Sequence, residues 1–463
     1  MKSLRFCGVM LVAVLTGALY SCSGSNDVLD VIPADVNVVA TVNVERLCSE
    51  GGIDLNEGGA FKAGVLPGEP DEDVAGVLAC LAKVKGAGAD VEHVVLATSG
   101  KTTFAVCDVK DAEAVRTAIG GEWESSNGME QRTAGHHCLV TDGKRLWCVM
   151  NSGDGAGVVA GVTKRAKEMP VSKLNGLVEL LGRDNLVNLA AADGFMTLTT
   201  GGGSNTSIAA EDRTWATACV KSGAGPEELV IDWSRMQSTG RQIAAEGMQE
   251  INPAVLGYVP GEFNCVVAAG LTQGFDWTSL KTIVSLIGGY QASAFMATVA
   301  PYLESIDGTV MLATGPTLND GGLLDRDFIV MAHLPQDRVN QLMGMIRGMA
   351  AMSNIPVTDV SEGVMAVPQY GKMMYIGNVE GYLAISTVGF NGGRQNELAP
   401  LFVNKDLGVH LAVSSLSEID SSADIEAGLT VQATMAGAEG VVSIALTGTR
   451  TPILQLLMEL MLK

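Results

Sequence analysis

Ile32-Pro33-Ala34-Asp35-Val36-Asn37-Val38-Val39 and Val259-Pro260-Gly261-Glu262-Phe263-Asn264-Cys265-Val266 follow one pattern. Each runs aliphatic, proline, small, acidic, apolar, asparagine, and then into an apolar strand. Further matches keep the same order along the chain. Val94-Val95-Leu96-Ala97-Thr98 answers to Val310-Met311-Leu312-Ala313-Thr314, and Phe104-Ala105-Val106 to Phe328-Ile329-Val330. In the helix that follows, Val115, Ala118 and Ile119 answer to Val339, Leu342 and Met343. Gly135 precedes Gly143-Lys144-Arg145-Leu146-Trp147 by the distance that separates Gly363 from Gly371-Lys372-Met373-Met374-Tyr375, and Val187-Asn188-Leu189-Ala190 answers to Val409-His410-Leu411-Ala412. Collinear matches at a nearly constant offset are the mark of an internal repeat. They predict two similar tandem domains from an internal duplication, over 31–245 and 250–463, with the junction between Gln242 and Ile251.

The predicted elements of one copy define the fold class. Strands are expected at Val36–Val44, Glu92–Thr98 and Thr103–Val109, and helices at Asp71–Lys85, Asp111–Ile119, Gly157–Glu168 and Lys173–Leu181. Val74, Val77, Leu78 and Leu81 have helical spacing, and acids open the 71 and 111 helices, where they favour the helix dipole. Short turns between neighbouring strands imply a mainly antiparallel sheet. With helices interspersed, the class is α+β. The second copy is expected to close on a hairpin, Leu429–Leu446, and a helix, Thr451–Leu462, docked through Leu454, Leu457, Met458 and Met461. Gly201–Ser207 reads as an exposed loop.

The N-terminus predicts export. Lys2 and Arg5 precede an apolar run too short to span a membrane comfortably, and Leu19-Tyr20-Ser21-Cys22 closes it. This has the form of a bacterial lipobox. Residues 1–21 are then a lipoprotein signal peptide, Cys22 the lipidated residue, and 22–30 a tether in which Ser23-Gly24-Ser25-Asn26 is flexible. Several acyl chains on Cys22 would hold the chain stably to a membrane. No later segment has the length of apolar residues that a span requires. Without the signal, 28 basic residues face 51 acidic ones, a net charge of −23. That excess argues against binding nucleic acid or an anionic membrane surface. No aspartate follows Cys22 to signal inner-membrane retention, so outer-membrane placement, facing the periplasm or the cell surface, is the expectation.

Asp27-Val28-Leu29-Asp30-Val31-Ile32-Pro33-Ala34-Asp35, running into Val38-Val39-Ala40-Thr41-Val42-Asn43-Val44, resembles gut-bacterial envelope lipoproteins of the domain of unknown function 4836 type. The resemblance implies an envelope lipoprotein and supplies no catalytic residues.

Motifs for chemistry are weak. Ser99-Gly100-Lys101-Thr102 has the end of a phosphate-binding loop, but Val95 stands where its first glycine should be, and a strand follows where a helix is needed. His136-His137-Cys138 offers zinc-type ligands, yet adjacent strand residues point to opposite faces and a structural site needs four. His93, His333 and His410 stand singly and read as satisfied structural histidines. Beyond Cys7 and Cys22 seven cysteines remain, an odd number. Cys107, Cys148 and Cys265 stand opposite Met331, Ile376 and Val38 in the other copy, which suits thiols used as small buried hydrophobes. A Cys138–Cys148 disulfide is the exception to consider, since a three-residue loop, Asp142 to Lys144, would bring the two face to face. No nucleophile elbow or Cys–His signature is present. The acids Asp71-Glu72-Asp73 suit a helix start. No catalytic, cofactor-binding or metal-binding residue is assigned.

Three readings follow. The first is a non-enzymatic binding or scaffolding lipoprotein, with the membrane as partner through the anchor on Cys22 and an envelope protein or glycan as its ligand. The second is an envelope hydrolase with a site between the two repeats. The third is a glycan-binding accessory protein that uses Trp147 and Tyr375, placed at equivalent hairpin positions.

Overall fold

The computed structural model describes residues 28–61, 72–89, 91–100, 102–193, 210–277, 302–315, 326–369, 371–392, 396–416 and 427–462. The class is α+β, with antiparallel sheet and several helices. The chain divides into two compact units. The first runs to Ile243 and includes the chain from Arg450 onward; the second is Ala244–Thr449.

In the first unit the strands are β1 (Val38–Val42), β2 (Ile53–Asp54), β3 (Ala60–Phe61), β4 (Val94–Ser99), β5 (Thr102–Asp108), β6 (Glu124–Ser126), β7 (Met129–Ala134), β8 (His137–Thr141), β9 (Arg145–Met150), β10 (Val187–Ala192), β11 (Thr214–Ser222) and β12 (Glu228–Gln237). Apart from the β2–β3 hairpin, they pair antiparallel in the order β6-β7-β8-β9-β5-β4-β1-β10-β11-β12. The helices are α1 (Val44–Glu50), α2 (Glu72–Gly86), α3 (Ala112–Ile119), α4 (Gly155–Glu168) and α5 (Asn175–Leu181).

Local chemistry fixes the helix starts. Asp111 accepts from the amides of Glu113 and Ala114 at 3.0 and 2.9 Å, and Asp154 from Gly157 at 2.9 Å. Each satisfies amides that the first helical turn leaves without partners. Alternation along the strands then sends Val39, Ala97, Phe104, Val106, Trp147 and Val149 to one face, where Val159 and Val162 of α4 and Leu177 and Leu181 of α5 cover them. Trp147 is fully buried with its ring centroid 5.8 Å from that of Phe104. Gly155 lets α4 come this close: a Cβ there would lie 2.6 Å from the sulfur of Cys138.

The second unit has β13 (Met248–Gln249), β14 (Cys265–Leu271), β15 (Gly308–Thr314), β16 (Phe328–His333), β17 (Thr358–Ser361), β18 (Val364–Gln369), β19 (Lys372–Val379), β20 (Tyr382–Ser386), β21 (Leu407–Val413), β22 (Gly428–Ala436) and β23 (Glu439–Thr447). Among its described residues the α-helices are α6 (Gln336–Met352) and the single turn α7 (Ala399–Phe402). The order is β17-β18-β19-β20-β16-β15-β14-β21-β22-β23, again antiparallel, with β13 pairing the end of β14, Gly270-Leu271, beyond the reach of β21. One face packs Val266, Met311, Ala313, Ile329, Met331 and Ala384 into a core. Val339 of α6 helps cover the other face. The two orders match strand for strand. They differ in what leads into the strand beside β1 or β14: residues 151–186 carry α4 and α5, whereas the described residues of 387–406 carry the single turn α7.

Three details depart from the sequence reading. The last helix, α8 (Ile453–Leu462), packs on α1 and β12 of the first unit instead of closing the second. The amide of Ile453 donates to the Pro226 carbonyl, and Met458 meets Gly51. The Gly-Lys hairpins are also one strand out of step. Gly143-Lys144 joins β8 to β9, while Gly371-Lys372 lies at the turn from β18 to β19. Trp147 on β9 therefore corresponds in strand order to a residue of β20, and Tyr375 to one of β8. Finally, Cys138 and Cys148 do not face each other. The side chain of Asp142 accepts from the amides of Lys144 and Arg145, and the register sets Cys138 against Val149 and Cys148 against Leu139. The two sulfurs thus lie on opposite faces of the sheet, and no disulfide links the seven described cysteines.

Candidate functional site

In the second unit a cavity of about 510 Å³ opens where β21 passes under the turn that leads into β14. Its floor is His410 and Ala412. One wall is the turn 259–264, held by the Phe263 amide on the Pro260 carbonyl at 3.1 Å and the Asn264 amide on the Thr314 carbonyl at 3.2 Å. Proline sets the bend, and the buried ring of Phe263 anchors the turn to the core. The opposite wall is 396–398. There the Asn396 amide nitrogen donates to the carbonyls of Leu256 and Val259 at 3.2 and 3.4 Å, and its oxygen accepts from the Leu398 amide at 2.8 Å. Asn396 is thereby a fixed part of the wall. Glu262 and Glu397 are exposed at the rim.

His410 is the unusual member. In the sheet it stands between Val266 on β14 and Gln432 on β22, on the face that carries the core. Burial holds its imidazole below the usual histidine value. Its Nδ1 is shut off from solvent and has no hydrogen-bond partner. Among the described residues this one ring nitrogen thus lacks a partner, and an unsatisfied buried polar atom calls for an explanation.

The corresponding place in the first unit is closed. There β10 sets Ala190, fully buried, against Val39 as β21 sets His410 against Val266. The strap after α4 ties down the turn before β1: the Ala34 amide donates to Met169 O and the Val171 amide to Ile32 O, both at 2.8 Å. Buried Arg213 adds a bond to the Val36 carbonyl at 3.2 Å. Among its described residues the shorter connection in the second unit carries no such helix-borne strap.

The lining offers one imidazole, two carboxylates and two amides against apolar Val259, Pro260, Phe263 and Leu398. Among the described residues no group of three His, Cys, Asp or Glu side chains could hold a metal ion.

The sequence candidates lie elsewhere. Cys22 and the signal segment fall outside the described residues, as do Lys101, Asp71 and the 201–207 loop. Ser99 and Thr102 face each other across the β4–β5 turn, with Gly100 at positive φ, so this is a hairpin rather than a helix-capping phosphate loop. His136 is exposed in the β7–β8 turn, His137 is half-buried with its Nδ1 lacking a partner, and Cys138 is buried. Burial also lowers the His137 imidazole. Of the histidines read as satisfied, His333 bonds the Asp307 carbonyl, whereas His93 and His410 each leave Nδ1 unpartnered. Trp147 is sealed in the core and cannot stack on a sugar; Tyr375 is half-buried. Glu262, Glu397 and Asn396 line the cavity without any motif in the sequence that marks them. The one available signal was the replacement of small Ala190 by a histidine at 410, and it is visible only with the correct strand register.

Among the described residues no helix is long and apolar enough to cross a membrane. No family model matches the chain, and no curated protein matches it. The resemblance to the domain of unknown function 4836 group thus rests on residues 27–44 and the lipobox alone. Crystal forms I and IV of TP0453 are similar at 12% identity over 46% of this chain, covering 79% and 83% of theirs with TM-scores of 0.27 and 0.28. Likeness at that level carries no argument about fold or function.

Proposed function

We propose that this chain is an exported lipoprotein of the outer membrane, anchored through Cys22, whose two α+β repeats serve as a non-enzymatic binding body in the cell envelope. The observation that carries the proposal is the N-terminal series of basic residues, apolar run and Leu19-Tyr20-Ser21-Cys22. The identical order of ten strands in each unit supports an origin by internal duplication. Kinship with the domain of unknown function 4836 lipoproteins belongs to the same reading. The cavity of the second unit, built from apolar walls with a few polar groups, has the make-up of a ligand site. Cells fed an alkyne fatty acid test the anchor. The wild-type protein takes up label and sediments with membranes, while Cys22→Ala does neither. Label retained by Cys22→Ala removes the basis of the proposal.

A further inference from the structure

α6 of the second unit is built unlike its counterpart in strand order. α3 of the first unit, Ala112–Ile119, contains no methionine, whereas the latter part of α6 reads Met343-Gly344-Met345-Ile346-Arg347-Gly348-Met349-Ala350-Ala351-Met352. Met343 and Ile346 pack against the cores beneath the helix. Met345, Met349 and Met352 do not: they are 37, 56 and 81% exposed. Four of the seven large hydrophobics exposed among the described residues are methionines, and three of those four stand in this helix. No leucine, isoleucine or aromatic side chain of α6 is exposed beside them, so the face offers sulfur more than general apolar surface. Positions i, i+4 and i+7 share one side of a helix, and the three rotatable bonds of methionine let neighbouring sulfurs turn toward one point. Gly344 and Gly348 flank the stripe, and a Cβ on either would meet no described atom within 4 Å. The Tyr302 hydroxyl donates to Met345 Sδ at 3.9 Å, so a thioether lone pair here already serves as an acceptor. Met349 and Met352 also lie in the last turn of a 17-residue helix, where the dipole favours positive charge and no basic residue supplies it.

We infer that Met345, Met349 and Met352 form a site for one soft monovalent cation, copper(I) or its analogue silver(I), held by their three thioether sulfurs. Thioethers select copper(I), whereas zinc takes thiolate, imidazole or carboxylate ligands and magnesium and calcium take oxygen. These sulfurs are also uncharged, which suits a singly charged ion better than a strongly hydrated divalent one. They lie outside the set of histidines, cysteines and acids, among which no metal-binding group of three is found in the described residues. Thioethers do not pair into disulfides, so such a site persists in an oxidising compartment where thiols are lost. The site shares no residue with the cavity beside His410, and it goes beyond the reading of the chain as a lipid-anchored binding body.

Methyl NMR on the full chain in detergent tests the site, with isotope-labelled methionine methyls and with accessible thiols capped by N-ethylmaleimide. The probe is silver nitrate in chloride-free buffer, because air does not oxidise silver(I). One equivalent shifts the signals of Met345, Met349 and Met352 together and leaves those of buried Met311 and Met331 in place. Copper(I), added without oxygen as its acetonitrile complex, gives the same shifts, and zinc(II) gives none. Met345→Leu, Met349→Leu and Met352→Leu each assign the signal they remove, and each weakens silver by at least ~10-fold in titration calorimetry. The triple leucine variant loses binding. Leucine matches methionine in helix propensity and nearly in volume, so these exposed positions accept it, and a thermal melt of each variant checks the fold. Equal shifts with zinc, shifts spread over methionines elsewhere, or affinity kept by the triple variant overturn the site. Signals that silver leaves unmoved also overturn it, and the stripe is then a docking face for an apolar partner. None of these outcomes bears on the anchor, which fatty-acid labelling of Cys22 decides.

Discussion

Cys48 and Cys148 are packing groups more than reactive thiols. Burial pushes each up to about 12, and a thiol at that value is almost never the thiolate that reacts. Iodoacetamide at pH 8 should therefore modify half-exposed Cys80 well before either of them, with all seven reacting alike once the chain is unfolded in urea. Site-resolved mass spectrometry reads the order, and early modification of Cys48 or Cys148 would refute their packing role. The histidines give a second prediction. Burial lowers both His137 and His410 from 6.5, so the unfolded chain holds more protons than the folded one as pH falls through that value. Their contribution to stability is full at neutral pH and is lost progressively as pH falls below about 6.5, until the depressed folded values are passed. The melting temperature should drop between pH 7 and pH 5, and the double variant His137→Gln/His410→Gln should show a shallower drop. A slope left unchanged by that variant would assign the effect to carboxylates. Nothing in the residue string distinguishes His410 from a satisfied strand histidine, because satisfaction depends on neighbours distant in sequence, such as those on β14 and β22.

Elements whose period is dictated by burial were legible; those held by turn chemistry were not. Strands β1, β4 and β5 and helices α2 to α5 appear close to where apolar spacing places them, since each has a face that must leave water. β6 is only Glu124-Ser125-Ser126 and gives no such signal, so the four-stranded meander β6 to β9 reads as a single hairpin. The repeated Gly-Lys pair then aligns two hairpins that occupy different places in the sheet. Loop length misleads in the same way at Asp142, whose side chain stabilises a wider turn than the one that would pair Cys138 with Cys148. Packing of α4 on the meander gives a prediction. Gly155→Ala forces a methyl into Cys138 and Val140, an overpacking expected to cost about 1–3 kcal/mol. Gly153→Ala, two residues earlier with open space around it, should be close to neutral. Urea denaturation of the two variants measures the difference, and equal midpoints would mean that α4 can move off the sheet without penalty.

The path of the chain through the two units has a consequence that the repeat pattern hides. The chain leaves the first unit at Ile243, builds the whole of the second, and returns at Arg450 to add α8 to the first. The second unit is thus an insertion within the first, although repeat matching alone places two domains end to end. α8 brings substantial apolar surface: Ile453, Leu454, Leu456 and Met458 are all buried, and each such side chain is worth roughly 1.5–3 kcal/mol against leaving it in water. Four of them rival the roughly 5–15 kcal/mol that holds a whole domain folded. The fit is close, because Gly52, at φ 77, leaves room for Gln455 directly above it. A fragment of residues 28–243 should therefore fail to fold cooperatively, and joining 450–463 to it through a flexible linker should restore a sharp melt. A fragment of residues 244–449 should melt cooperatively without help, since its ten-strand order and its cores are complete within those residues. Circular dichroism and amide dispersion in NMR distinguish these outcomes. Cooperative folding of 28–243 without the last helix would show that α8 covers a core already stable, and the end-to-end division would then describe the folding units better than the insertion does.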